Sequence, residues 1–391
     1  MKSLNISVSI TKEEFLLTIS PKYIPAWGKW EALRELMQNV IDRSNEEQRA
    51  EIIFTYSPLK QRLIIGNKFS LLERKTLIMG ETSKADNNSA IGKYGEGYKL
   101  ALLVLLRLGA RIRIRTAGEI WAPIIKYSEQ FETDLLAIGV IKSKVASESL
   151  LFEIDGITQD DYKEFNNNCI YINKPENKIA TEIGDVLLEE KHRSMLFVEG
   201  LFVCKFNENE KIRYGYNFKA EYIQLDRDRC KVSSWNLLWE VGRLLNLLDS
   251  TYASLVYSLQ REHWKDATQY ELMRSSKDNP MYEALCTLHH DDFVKVHGKY
   301  YVPVETIEDA NLIREKYNNL VPVIMPKTKV EYITNSAGYR ASGKISKVEQ
   351  ETPYIITERI ITKHLSTVIF DQIRKELLAD LLPLTRNWSI R

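Results

Sequence analysis

Glu35, Asn39 and Asp42 stand at spacings i, i+4 and i+7 in the segment Glu31-Ala32-Leu33-Arg34-Glu35-Leu36-Met37-Gln38-Asn39-Val40-Ile41-Asp42. At the pitch of an α-helix these three side chains fall within about 60° of one another on one face. A carboxylate one turn from an amide has two uses. The carboxylate can take a proton from an attacking water, and the amide oxygen can hold a hard cation such as Mg2+. Taken alone, the stripe is also what an ordinary amphipathic helix turns to solvent, because Leu33, Leu36, Met37, Val40 and Ile41 occupy the opposite arc.

A second element lies further along, in Ile91-Gly92-Lys93-Tyr94-Gly95-Glu96-Gly97-Tyr98-Lys99-Leu100. Gly92, Gly95 and Gly97 let the backbone turn tightly and approach a ligand closely. They precede an apolar run that stops at Gly109, and the N–H groups that open a helix attract phosphate oxygens. Alone, such a loop is equally a flexible connector. No strand leads into these glycines, which excludes the dinucleotide fingerprint, and the absence of G-K-[ST] excludes a Walker loop.

The elements that must position these groups are legible in outline. Residues 4–19 alternate loosely and include an opening strand. Trp27 to Ser44 reads as a helix entered through Pro25. Glu51–Tyr56 and Arg62–Ile65 read as short strands across a Ser57-Pro58 turn. Residues 66–97 read mostly as loop, with a short helix near Leu71–Met79, and Tyr98–Leu108 as an apolar helix ended by Gly109. Strands follow at Arg111–Thr116, Ile120–Tyr127, Leu135–Lys142 and Leu150–Ile154. This order predicts an α+β fold with helices on one face of a mixed, mainly antiparallel sheet. The polar, Asn-rich stretch Thr158–Asn177 marks a boundary, giving one domain over 1–160 and a second α+β domain with a C-terminal helical region over 161–391. In the second, Met195–Phe206 reads as a hairpin turning at Gly200, Val232–Leu259 as one long helix, Met325–Gln350 as a loop, and Ile361–Leu381 as helix.

Together, E-x-x-x-N-x-x-D and the later G-x-x-G-x-G before a helix resemble the GHKL (Bergerat-fold) ATPases, over about residues 20–160. Ile91 to Lys99 and the Arg107-Leu108-Gly109 ending look most like the MORC and heat-shock-chaperone branches. The resemblance implies an ATP-binding and ATP-hydrolysing domain that uses Mg2+. It makes Glu35 the general base, Asn39 the Mg2+ ligand, and Asp42 a support on the nucleotide side of the helix. Gly92, Gly95 and Gly97 would shape the hinge of an ATP lid that includes Gly80, Thr82, Ser83 and Lys84. Lys84 or Lys99 is a candidate phosphate partner, against the alternative of a solvated surface lysine.

The chain departs from the family where D-x-G-x-G is expected. Ile65-Gly66-Asn67-Lys68-Phe69-Ser70-Leu71 stands there, with Asn67 nearest the aspartate that accepts the adenine amino group. An amide carbonyl accepts such a bond more weakly than a carboxylate, and the amide adds a donor, so base preference is relaxed. The family's threonine in a central strand has no clean counterpart beyond Ser149. Arg227 and Arg229, in Asp226-Arg227-Asp228-Arg229, resemble the second-domain arginines that reach the γ-phosphate in the chaperone branch. Their alternative is a charged turn with local ion pairs.

Lys and Arg (54) nearly cancel Asp and Glu (53), so no whole-chain attraction to nucleic acid or anionic membrane is indicated. Cys169, Cys204, Cys230 and Cys286 are far apart and form no C-x-x-C pair, which fits a reducing, cytoplasmic compartment, cellular or viral. No apolar stretch is long enough to span a bilayer. A sensor-kinase reading needs a phosphoacceptor His ahead of the ATP domain, and no His precedes His192. Cys286, His289, His290, Asp291 and Asp292 read as an ordinary structural or surface cluster rather than a metal site, and Trp264, Tyr300 and Tyr301 as core. The expected partners are ATP, a second copy of the chain, and a protein client or DNA, without a membrane. The competing reading is a non-catalytic nucleotide-dependent module that binds a partner protein or DNA.

Overall fold

A computed structural model of the chain describes residues 12–42, 51–78, 96–143, 149–207, 209–223, 234–273, 279–344 and 375–377. The fold is α+β. Its elements begin with β1 (Lys12–Leu16), α1 (Lys29–Ile41), β2 (Ile53–Ser57), β3 (Arg62–Asn67) and α2 (Gly97–Arg107). β4 (Arg111–Thr116), β5 (Glu119–Ser128), β6 (Thr133–Lys142), β7 (Leu150–Asp155) and α3 (Gln159–Asn168) follow. Strands β1–β7 form one sheet in the order β1-β6-β5-β4-β7-β3-β2. Every neighbouring pair in it is antiparallel.

Alternation explains the sheet. In β4, Ile112 and Ile114 point into the core while Arg111 and Arg113 are exposed. The outward arginines meet carboxylates across the strands: Arg115 Nε donates to Glu153 at 2.6 Å, and Arg62 makes a bidentate pair with Asp155. On the inner face, Leu63, Ile65, Ile114 and Phe152 share one apolar core with α1 and α2. Ala101 to Leu105 of α2 have no exposed surface, and each large aliphatic side chain so buried contributes about 1.5–3 kcal/mol. Helix α2 stops as expected: Gly109 adopts φ +83°, Ala110 N–H bonds to Leu105 C=O, and Gly109 N–H bonds to Leu106 C=O, a Schellman closure.

By packing, the chain divides into two compact units, Met1–Leu247 with His263–Met273, and Leu248–Glu262 with Arg274–Arg391. The expected boundary near residue 160 falls inside the first unit. There a second sheet, β8 (Lys178–Ala180), β9 (Gly184–Leu187), β10 (Met195–Val198), β11 (Leu201–Lys205) and β12 (Gly215–Phe218), runs in the order β11-β10-β12-β9-β8. Its β10–β12 pair is parallel, and β10 turns into β11 through Glu199-Gly200, with Gly200 at φ +79°. The stretch Thr158–Asn177, read from sequence as a polar boundary, contains α3. Thr158 and Asp161 cap that helix reciprocally, and Phe165, its one buried residue, stacks on Phe54 at 5.4 Å.

The remaining helices are α4 (Ser234–Asn246), α5 (Ala253–Arg261), α6 (Thr268–Met273) and α7 (Pro280–His297). The single long helix expected over Val232–Leu259 is therefore two, α4 and α5, broken where Asp249 turns its carboxylate back onto Thr251 N–H at 2.8 Å. The second unit continues with β13 (Tyr301–Val304), α8 (Ile307–Lys316), β14 (Val321–Ile324), α9 (Lys327–Asn335) and α10 (Ala337–Ala341), with β13 and β14 parallel. Helices α9 and α10 correct the expectation of a loop over Met325–Gln350 as far as Lys344, residues 345–350 lying outside the described residues: Tyr332, Ile333 and Tyr339 are buried anchors that outweigh the small residues around Gly338. Of the helix expected over Ile361–Leu381, residues 375–377 are described and are helical. Tyr300, read as core, is 69% exposed. No helix among the described residues is long and apolar enough to cross a membrane.

Candidate functional site

Helix α1 starts where Glu31 Oε2 accepts the Gly28 N–H at 2.8 Å, closing the N-terminal turn. Its apolar arc packs on the sheet, and its remaining faces are covered by α2 and α3. The polar stripe is consequently no solvated face. Glu35 is 1% exposed and Asn39 half-buried.

Among the described residues, Arg34 and Gly97 lie against the Glu35 carboxylate. Arg34, itself buried, brings NH2 to 3.4 Å from Glu35 Oε1, while its guanidinium faces the Trp27 ring. The other oxygen, Oε2, lies against Gly97, the first residue of α2. A Cβ at position 97 would overlap Glu35 Oε2. Here glycine is required by close approach: only a residue without a side chain lets the carboxylate sit against the opening turn of α2. The Glu96 side chain, at the N-cap, does not cap that turn.

Asn39 is oriented by its own helix. Its Nδ2 donates to Glu35 C=O at 2.8 Å, which turns Oδ1 away, and Oδ1 accepts no hydrogen bond among the described residues. A neutral oxygen donor held this way fits a hard cation. Asp42 is half-buried at the end of α1, where its carboxylate accepts from Gln38 Nε2 at 3.5 Å.

Lys99 is neither solvated nor at the surface, which overturns the reading of it as a surface lysine. It is buried, and its Nζ donates to the backbone carbonyl of Ile78. Burial pushes its pKa below the ordinary lysine value, and Glu96 opposes that in part. Beside it, Tyr98 Oη donates to Thr76 C=O at 2.8 Å. The start of α2 is thus tied to the chain that leaves β3.

That chain is held at two further points. Asn67, with no exposed surface, ends β3 on the same face as Leu63 and Ile65. Its Oδ1 accepts from Phe69 N–H at 3.3 Å, Ser70 N–H at 3.0 Å and Ser70 Oγ at 2.9 Å. The carbonyl expected to face a ligand is therefore committed to its own turn, and the Nδ2 is the group left without a partner. Thr116, buried at the end of the central strand β4, accepts from Leu72 N–H at 2.7 Å and donates to Leu72 C=O at 3.1 Å. Sequence reasoning passed over Thr116 and Arg34. Only the ending of an alternating strand marked the first. Ser149, weighed as the threonine counterpart, immediately precedes Leu150, which pairs with Asn67.

The structure thus brings Glu35 and Gly97 together where α1 meets α2, with Asn39 one turn further along α1. Lys99 follows in the first turn of α2 and reaches Ile78, and Asn67 ends β3 on the sheet face that carries Leu63 and Ile65. Gly80, Thr82, Ser83, Lys84, Gly92 and Gly95 lie outside the described residues, as do Arg227 and Arg229.

No family model matches the chain. A protein of Mycoplasma pneumoniae that bears the name "Uncharacterized protein" is similar to it, 22% identical over 206 residues that make up 51% of this chain and 82% of that protein.

Proposed function

We propose that the chain binds ATP with Mg2+ and hydrolyses it to ADP and phosphate, as a GHKL-type ATPase. The observation that carries this reading is the seat of the Glu35 carboxylate, buried, with one oxygen beside Arg34 and the other against the opening turn of α2. In this reading the N–H groups of that turn take the phosphate oxygens. Glu35 Oε2 accepts a proton from a water as the water oxygen bonds to the γ-phosphorus, and the bond from that phosphorus to the bridging oxygen breaks. Asn39 Oδ1 is the oxygen suited to a metal ligand; Mg2+, when bound, neutralises charge on the phosphates. Arg34 holds the carboxylate in place, and Gly97 keeps the approach open. The nucleotide state then drives the domain or dimer rearrangement that the resemblance implies.

The test is ATP turnover and ATP binding by wild type and Glu35→Ala, with and without DNA. Retained binding with turnover lost supports the reading. Unchanged turnover in Glu35→Ala discards it. Stimulation by DNA with a steep salt dependence would assign a DNA-linked role.

A further inference from the structure

A cavity of about 620 Å³ lies in the second unit, beside the C-terminal half of α7. Every residue that lines it belongs to that unit, so its chemistry stands apart from the reading of Glu35. Its ionisable cationic groups are Lys299, Lys344 and His290, and no Asp or Glu is among the lining residues. Lys299 follows Gly298, whose φ of +103° ends α7, and it makes no ion pair among the described residues. Lys344 follows Gly343, at φ +67°, and its Nζ donates to Tyr301 C=O at 3.3 Å. Burial lowers the Lys344 pKa: the ammonium has given up water and holds a neutral acceptor in return. His290 packs its ring against Gly338, where a Cβ would come within 3.0 Å of it. Its Nδ1 faces Asp291 at 3.3 Å, a side chain that is 70% exposed and does not line the cavity.

Tyr300 and Tyr317 add two rings to the same lining. They are 69% and 38% exposed, and neither ring packs on another aromatic ring among the described residues. Their backbones are nonetheless fixed: Tyr300 C=O accepts from Val321 N–H at 3.0 Å, and Tyr317 C=O from Leu320 N–H at 3.4 Å. Exposed rings on a fixed backbone offer a stacking surface at little ordering cost. A cavity of the first unit shows the opposite balance. There Lys174 and Lys178 are matched by Asp185 and Glu199, and Lys178 already pairs with Asp185 at 3.1 Å. Lining of that kind has no charge left to offer a ligand, whereas the α7 cavity has cations without carboxylates.

We infer that the α7 cavity binds a phosphate monoester that carries a flat ring, with the phosphate on Lys299 and Lys344 and the ring against Tyr300 or Tyr317. A phosphate monoester carries nearly two negative charges at neutral pH, which matches a pair of ammonium groups where a carboxylate supplies one. The ring covers tyrosine faces that otherwise stand in water.

The experiment is calorimetric titration of the full chain, without Mg2+, against phenyl phosphate, methyl phosphate, benzoate and AMP. Phenyl phosphate should bind about tenfold more tightly than methyl phosphate, which lacks the ring. It should exceed benzoate, which has the ring and a single charge, by about the same factor. Lys299→Gln and Lys344→Gln should each weaken phenyl phosphate by about tenfold, and Tyr300→Ala should narrow its lead over methyl phosphate. AMP names the source of the ring: ahead of phenyl phosphate it points to a nucleotide, behind it to an aryl phosphate, and either order upholds the inference. Methyl phosphate or benzoate binding as tightly as phenyl phosphate overturns it. So does the absence of binding by phenyl phosphate and AMP, or binding that survives both lysine changes, which would lie elsewhere on the chain. Lys299 and Tyr300 are exposed, so their variants keep the fold, and the wild-type ranking decides the matter even if Lys344→Gln folds poorly.

Discussion

Two regions bury polar side chains, and they do so in opposite ways. In the second unit His289 is enclosed between the rings of Tyr257 and Tyr332, at 4.8 and 4.6 Å, and its Nε2 meets Gln260 Oε1 at 2.9 Å. Gln260 Nε2 in turn donates to Tyr332 Oη at 3.2 Å. That network is closed. In the first unit the buried polar groups include atoms with no partner: Arg34 Nε, Asn67 Nδ2, His192 Nδ1 and Gln269 Oε1. A closed network specifies a core. An open one either costs stability for nothing or waits for a ligand. Openness alone does not pick out the site, since His192 sits in the turn before β10 and Gln269 on α6. Arg34 differs from them in lying beside a carboxylate pressed against a helix start.

The comparison is broken most directly at Glu35. If the open region is catalytic, Glu35→Gln keeps the shape and loses the base, and turnover falls by about 100-fold to 10,000-fold with ATP binding retained. Single-turnover hydrolysis beside equilibrium binding measures both. In the closed region, His289→Gln leaves the same turnover unchanged.

Acid breaks the closed region instead. Burial, with Lys329 adding to it and Asp292 opposing, lowers the His289 pKa from 6.5 to about 4. Between those values the unfolded chain binds a proton that the folded chain refuses. The stabilisation is therefore full above pH 6.5 and is lost as pH falls through 6.5 toward 4, by at most roughly 3 kcal/mol. Denaturant melts of wild type and His289→Phe at pH 7 and pH 4.5 measure it. The variant should show the smaller pH dependence, and equal dependence in both would remove His289 as the cause.

The same contrast explains what was legible in the sequence. The strand Arg111–Thr116 and the helix ended by Gly109 follow from period and capping, and the structure places them within a residue of expectation. The spacing of Glu35 and Asn39 also put both on one helix face. That this face is covered, rather than solvated, depends on α2 and α3 packing over it, and no local pattern encodes that. Arg34 escaped notice because adjacent residues on a helix point about 100° apart and are not read as partners. Lys99 and Thr116 act on Ile78 and Leu72 through contacts distant in sequence. Helix α3 was missed because Asn166, Asn167 and Asn168 mask a helix held by one buried anchor, Phe165.

Gly97 sharpens the comparison with a smaller effect. Gly97→Ala forces a methyl onto the Glu35 carboxylate, which should cost about 1–3 kcal/mol of stability. Glu35→Ala makes room for that methyl, so the double variant should be more stable than the sum of the single changes predicts. That non-additivity is the signature of direct contact. Additive costs in thermal or denaturant melts would show that the two residues do not touch.

The smallest expected effects form the cleanest pair, because they use one residue type in both regions. Gln260, in the closed network, makes hydrogen bonds through both ends of its amide, to His289 and Tyr332. Gln260→Leu removes both from a buried setting and should cost about 1–3 kcal/mol. Gln269, 2% exposed on α6, has a buried Oε1 with no partner. Gln269→Leu therefore gives up no bond at that oxygen and relieves its desolvation, so its stability should stay within about 0.5 kcal/mol of wild type or exceed it. Denaturant melts of the two variants under one condition decide whether the regions differ as described. A Gln269→Leu cost as large as that of Gln260→Leu would mean that Gln269 Oε1 finds a partner, and the first unit would then be less open than its geometry indicates. The Arg34 atom beside Glu35 would remain to be judged on ligand binding alone.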